Sequence, residues 1–345
     1  MWAGLIHLVI GNAFIGIGEG LILAWMFSLK KVKTQLVLIA ANYFSAWVGG
    51  LLLSGAISRS LPMDLNNGWR WFWFMVFATY LITLVLEWPF VAFCLRGNTD
   101  WFRKSLKGNL VIQTASYVVL FGWYWMASGT SLFTDARVVT PKEMPLPESV
   151  VMYFISEQDG NVYARNLPAG DDQQTFALHS TNLDDRLLVR PSTVRTNSWD
   201  LVARMQTTNY QHPDLVEVKM DFARFVGPNS TRDGNPAQFD PTSLDCGEAS
   251  RLGDAEKSDW HFETGYWAVE GLDGTNSIKH AKIHLSFETP FAQWPARNAT
   301  HLPGDKVLFQ LGNDQICLYD PNLRTIALLA RGRGPVAALP KQPGE

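Results

Sequence analysis

The residues best placed to do chemistry are acids and amides standing where apolar side chains are expected. Glu19 and Glu87 interrupt long runs of Leu, Ile, Val, Phe and Trp, and so do Asn42, Gln113 and Tyr117. Glu19, Asn42 and Glu87 each lie about seven or eight residues from the same end of their runs, and Gln113 and Tyr117 bracket that depth in the fourth; at about 1.5 Å per residue this is roughly 5–12 Å below one membrane surface. Four apolar segments therefore each bring a polar group to one level. A charged side chain in a bilayer costs about 2.5–3.5 kcal/mol on insertion scales and turns to the bundle interior. A protonated carboxyl at this level donates to Asn42 or Gln113 and glues the helices together. A proton, cation or polar-substrate site is the functional alternative. His7 and Asn12 lie nearer the opposite surface, and Asn12 shares a helical face with Glu19, which makes a polar track along the first segment conceivable.

The remaining chemical candidates are weaker. His280 and His284 have the spacing of a helical zinc motif, but His280, Lys282, His284, Ser286 and Glu288 alternate with Ala281, Ile283, Leu285 and Phe287. That is the period of a strand, on which the two rings would stand about 13 Å apart, too far for one ion. Cys246 and Cys317 could form a disulfide in an oxidising compartment, or remain two thiols. Arg331-Gly-Arg333-Gly-Pro335 suits a turn between the last two strands, with an acidic-ligand loop as the alternative. Asp184-Asp185 and the acids from 245 to 259 lack the spacing of a calcium loop. The glycines of IGIGEG lie inside an apolar run rather than after a strand. No nucleophile elbow, phosphate loop or dinucleotide fingerprint is present. No metal, cofactor or catalytic set is expected, and an enzyme is the less favoured class.

The whole-chain averages conceal what must position these groups. The net charge is −3 and the mean hydropathy −0.02, ordinary for a soluble protein, yet residues 1–133 hold almost no acids while 134–345 hold most of them. The near-neutral balance gives no basic patch, so nucleic acid is not an expected partner. Residues 5–27, 35–57, 71–95 and 110–128 each reach the ~20 apolar residues that cross a bilayer, predicting four transmembrane helices in a domain spanning 1–133. The first run has no charge before it and lysines after it, opposite to a signal peptide. Lys30, Lys31 and Lys33 in the first loop, and Arg96, Arg103, Lys104 and Lys107 in the third, place those loops in the cytoplasm. The expected location is the plasma (inner) membrane, multi-pass, with the N-terminus and the C-terminal domain outside. Trp2, Trp69, Trp71, Trp123 and Trp125 then form a belt at the outer edge and Trp101 marks the inner one. Gly16 and Gly20, and the stripe Ala41, Ser45, Gly49, let helices approach closely.

A polar, proline-rich linker at 134–150 leads to an extracytoplasmic, all-β domain at 151–345. Apolar segments at 152–155 and 161–165 flank Asp159-Gly160, a hairpin signal. Segments at 201–205, 215–220, 266–269, 279–288, 307–311, 316–319, 325–330 and 336–339 read as further strands. VMYFISEQDGNVYARNL and KVLFQLGNDQICLYDPN are faintly alike, each strand, turn, strand. A propeller-like assembly of repeated units is the expected topology, with a β-sandwich as the alternative. Residues 227–259 read as a long surface excursion.

Two functions remain in view. In the favoured one, the helical bundle anchors in the lipid bilayer a β-rich outer domain that binds or assembles a protein or polymer partner. In the other, the chain is a small proton- or cation-coupled transporter or sensor working through the Glu19, Asn42 and Glu87 layer.

Overall fold

The computed structural model describes residues 6–52, 61–127, 136–147, 150–167, 170–192, 199–207, 214–223, 247–252, 255, 258–265, 268–273, 282–288 and 293–339. It divides into two units, Met1–Gly129 with Glu288–Ala292, and Thr130–Phe287 with Gln293–Glu345.

The first unit holds four helices. A π-helical turn, His7–Gly11, leads into α1 (Asn12–Phe27); α2 (Lys31–Leu52), α3 (Gly68–Leu95) and α4 (Trp101–Ala127) follow. Each packs on the next, and α4 packs on α1, closing a ring. Two helical stretches, His7–Phe27 and Gly68–Leu95, are long and apolar enough to cross a membrane. The distribution of side chains is inverted relative to a soluble bundle. Glu19, Asn42, Glu87, Asn109, Gln113 and Ser116 are buried, whereas Phe14, Trp25, Phe77, Val85, Val118 and Val119 face outward. Gly16 and Gly20 do what their spacing suggests: a Cβ on either would stand 2.6 Å from the α carbon of Ile39 or Gln35 on α2. Only glycine lets these two backbones meet. The small stripe of α2 is used in part, since Ala41 and Ser45 are buried while a Cβ on Gly49 would meet nothing within 4 Å.

The second unit is β-rich. In chain order its strands are β1 (Arg137–Val138), β2 (Val150–Ser156), β3 (Val162–Leu167), β4 (Gln173–Phe176), β5 (Arg186–Pro191), β6 (Trp199–Met205), β7 (Asp214–Ala223), β8 (Gly247–Glu248) and β9 (Ser250–Arg251). Then come β10 (Trp260–Thr264), β11 (Val269–Asp273), β12 (Lys282–Leu285), β13 (Phe287–Glu288), β14 (Gln293–Trp294), β15 (Ala296–Leu302), β16 (Lys306–Leu311), β17 (Gln315–Asp320) and β18 (Thr325–Ala338). Nine of them form one curled, half-barrel sheet in the order β4-β3-β2-β18-β17-β16-β15-β9, with β1 pairing parallel to β18. Smaller sheets are β12-β11-β10-β8, β5-β6-β7 and β13-β14.

The described strands show no propeller. The reason lies in β18, a 14-residue strand. Its first half pairs with β17 and its second half with β2, so the two hairpins β2–β3 and β16–β17 are joined into one sheet instead of closing separate blades. The turn expected at Arg331-Gly-Arg333-Gly-Pro335 is likewise corrected. The strand runs through it with a bulge between Arg333 and Val336. Extra residues absorbed as a bulge bend a strand without ending it. Gly332 makes this possible where a Cβ would sit 2.5 Å from the Ile155 carbonyl oxygen. The arginines are committed rather than offered to a ligand: Arg331 pairs with Asp314 at 2.5 Å, and buried Arg333 donates to Ser180 Oγ at 2.8 Å.

Alternation along β2 supplies two cores. Met152 and Phe154 join Leu308, Ile316 and Leu318 inside the curl. Tyr153 and Ile155 face the other way, onto Leu187, Leu201 and Ala203 of the β5-β6-β7 sheet. Side chains two apart point alike along a strand, so a strand buried on both faces reads as the continuous apolar run seen here.

His284 sits on β12 with its ring 3.3 Å from Glu270, its cross-strand partner on β11, as the strand reading requires. His280, Cys246 and most of the 227–259 excursion lie outside the described residues, and Cys317 is buried on β17. Among the described residues no group of His, Cys, Asp and Glu is placed to hold a metal.

His301, on β15, is fully buried edge-on to Phe262, and neither ring nitrogen has a hydrogen-bond partner among the described residues. Burial, and then the Arg251 charge, push its pKa down to about 4. The folded imidazole is therefore neutral where an unfolded one would already bind a proton. Its contribution is complete above about pH 6.5 and is lost as the pH falls toward 4, about 3 kcal/mol in all. Unfolding midpoints of the wild type should drop across that window, and His301→Leu should flatten the drop. An unchanged profile in the variant would assign the acid sensitivity elsewhere.

Candidate functional site

The polar residues of the four helices converge on one centre made of two carboxyls and four donors. Asn42 Nδ2 donates to Glu19 Oε2 at 2.5 Å, and the Ser116 hydroxyl bonds Glu19 Oε1. Gln113 Nε2 donates to Glu87 Oε2 at 2.5 Å, and Ser45 Oγ lies 2.5 Å from Glu87 Oε1. Glu19 comes from α1 and Glu87 from α3; every partner comes from α2 or α4. All four carboxyl oxygens are thus engaged. Both glutamates are almost wholly buried, at 2% and 1% exposure, and their charges interact. Among the described residues, no lysine, arginine or histidine bonds either one.

Local sequence explains this assembly. Asn42 and Ser45 are three apart on α2, and Gln113 and Ser116 three apart on α4, so each pair stands on one helical face. The close α1–α2 approach at Gly16 and Gly20 brackets Glu19 and brings Asn42 within reach. Asn42 Nδ2 spends its second proton on the Leu38 carbonyl, 3.0 Å away, which fixes the amide's orientation.

Each serine is also within reach of a second acceptor. Ser45 Oγ is 3.1 Å from the Asn42 carbonyl oxygen and Ser116 Oγ is 3.0 Å from that of Ile112. A hydroxyl has one proton to give and can accept as well. If a carboxyl is ionised, its serine donates to it. If the carboxyl is protonated, it donates to the serine, whose own proton turns to the helix carbonyl. Both forms are satisfied without moving a heavy atom.

Of the residues singled out in the sequence, Glu19, Asn42, Glu87 and Gln113 meet here. The other three lie on separate rungs. Tyr117 bonds Thr83 Oγ1 at 3.2 Å, His7 Nδ1 bonds the Tyr124 hydroxyl at 2.8 Å, and Asn12 donates to the Leu8 carbonyl of its own helix. Among the described residues no hydrogen bond links Asn12 to Glu19. Sequence reasoning missed Ser116 altogether and saw Ser45 only as a small packing residue. The signal was available: a serine three positions after the buried amide occurs in both runs, as Asn42-Tyr-Phe-Ser45 and Gln113-Thr-Ala-Ser116. Three further bonds lace α3 to α4: Tyr80 to Thr114, Trp88 Nε1 to Ser105 at 3.0 Å, and Asn109 Nδ2 to the Leu84 carbonyl.

No family model, no curated protein and no solved structure matches this chain.

Proposed function

We propose that the four helices cross a membrane as one bundle, with the N-terminus and the β-rich region on the outer side, and that Glu19 and Glu87 form the proton-carrying centre of a small proton-linked transporter or sensor. The observation that carries this reading is the pair of serines, each set between a carboxyl oxygen and a carbonyl of its own helix. Passive glue needs to satisfy one protonation state; this shell satisfies two. Two neighbouring carboxyls with no cation bonded to them among the described residues cannot both be charged at small cost in an apolar interior. A proton arriving or leaving therefore reverses the direction of a hydrogen bond between helices, which is a means of telling one helix pair about the state of the other. The outward apolar surface and the basic first and third loops support the membrane placement.

The test is infrared difference spectroscopy of the full-length protein in lipid nanodiscs through a pH series. A carboxyl C=O band that appears on acidification should lose part of its intensity in Glu19→Gln and part in Glu87→Gln. In proteoliposomes or a sensing assay, either variant should lose the pH-linked response while still inserting and folding. A spectrum with no pH-dependent carboxyl band would reduce the acids to permanent hydrogen-bond donors and the bundle to an anchor.

That anchor reading, with the outer domain as a docking module, has one observation of its own. β4 ends the nine-stranded sheet, and its Gln173, Gln174 and Thr175 are exposed. A free sheet edge takes an extended partner segment. In that case both glutamine variants would leave function intact.

A further inference from the structure

The centre of the bundle is built twice. Glu87 stands 68 positions after Glu19, and Gln113 stands 71 after Asn42. The same 71-residue shift carries Thr34, Leu38, Ala41, Asn42 and Ser45, five buried residues among the described side chains of α2, onto Ser105, Asn109, Ile112, Gln113 and Ser116, all buried in α4. A buried stripe alone would recur in any bundle helix. Periodicity does not require that hydroxyl fall on hydroxyl at 34 and 105, amide on amide at 42 and 113, and serine on serine at 45 and 116. After the acids, Leu23 and Val91 also correspond, both fully buried in the same cluster.

The hydrogen bonds obey the correspondence. Each carboxyl takes an amide from the helix that follows it, Glu19 from Asn42 and Glu87 from Gln113. Each takes a serine from the opposite pair, Glu19 from Ser116 and Glu87 from Ser45. Exchanging the pairs α1–α2 and α3–α4 maps every one of these bonds onto another. Helix contacts follow: α1 on α2 matches α3 on α4, and α2 on α3 matches α4 on α1. These are the relations of a two-fold axis along the bundle. The copies differ in packing, not at the centre: Gly20, which seats α1 on α2, corresponds to Trp88, which bonds Ser105 instead.

We infer that α1–α2 and α3–α4 are two copies of one acid-bearing helical hairpin, and that the centre works as two interchangeable half-sites, with Ser45 and Ser116 as the positioning residues that tie each carboxyl to the opposite copy. The functional half of this inference rests on the proton-linked reading. The other titratable groups around the pair are Tyr117 of α4, whose hydroxyl is held by Thr83, and Tyr80 of α3 beside it. Lys33 of α2 lies over the Phe93 ring, and His7 of the turn before α1 is bonded to Tyr124.

The experiment uses full-length protein in nanodiscs and two backgrounds, Glu19→Gln and Glu87→Gln, each leaving one carboxyl to titrate by its infrared band. The two midpoints should agree within about half a pH unit, a ratio of about three in protonation constant. Adding Ser45→Ala should displace the midpoint in the Glu19→Gln background and leave it in the other; Ser116→Ala should do the reverse. Midpoints further apart, or serine effects on the wrong background, overturn the inference. If no carboxyl titrates in any variant, the proton-linked reading fails by itself. The repeat is then judged on melting temperature: equal losses from Ser45→Ala and Ser116→Ala uphold it, and unequal losses sink it.

Discussion

Replacing Gly16 and Gly20 together by leucine should unfold or splay the bundle, at a cost of about 3 kcal/mol or more. A Cβ at either position would stand 2.6 Å from a backbone atom of α2, not from the flexible end of a side chain, so nothing local can give way. The helices must separate, and the 2.5 Å bond from Asn42 to Glu19, which lies between the two glycines, must stretch or break. A carboxyl that loses a donor inside an apolar bundle is left with an unmet hydrogen-bonding requirement. Thermal unfolding in detergent or nanodiscs should show a large drop in midpoint, with the infrared signature of Glu19 altered at the same time. Gly49→Ala is the matched control, because its Cβ enters open space. A double leucine variant that melts with the wild type would mean that α1 and α2 do not meet as described.

The second large effect belongs to the β-rich unit. Gly334→Val should destabilise it by about 3–5 kcal/mol, combining left-handed backbone strain with a clash against main chain. Gly334 has φ +53°, and a Cβ there would stand 2.7 Å from the Arg186 α carbon and closer still to the Leu187 nitrogen. Its own N–H is held by Gln310 Oε1 at 2.8 Å, which fixes the bulge in place. Since β18 alone links the β2–β3 hairpin to β17 and β16, the whole nine-stranded sheet should lose cooperativity. Tryptophan fluorescence under denaturant and native-state hydrogen exchange would register this as an earlier, broader transition. Coincident curves for variant and wild type would show that the bulge tolerates a side chain.

Much of this protein was legible in its residues. Four long apolar runs, one close-packing glycine pair and the hairpin at Asp159-Gly160 all follow from short-range rules. Helix period, strand period and turn chemistry act within a few residues, and so can be read there. The same rules misjudged Arg331–Pro335. Gly, Arg and Pro in succession resemble a turn, and only the neighbouring strands Phe154–Ile155 and Arg186–Leu187 make a bulged continuation the better-packed solution. The propeller expectation failed for the same reason. Hairpins are local, but their joining through one 14-residue strand is a long-range pairing.

The candidate site divides along the same line. The sequence by itself determined that Glu19, Asn42, Glu87 and Gln113 lie at one level, because depth along a helix is a matter of counting residues. It could not determine which way each faces or which partner each meets, because rotation and neighbour choice depend on how four helices pack. Tertiary structure alone decided that Ser45 and Ser116 complete the centre, that Tyr117, His7 and Asn12 make their hydrogen bonds elsewhere, and that each carboxyl is shared between two hairpins. The duplication was present in the sequence throughout, but at six or so positions among apolar runs it had no visible meaning. The bonds across the axis supply that meaning: they single out, from many buried residues, the few whose chemistry had to match.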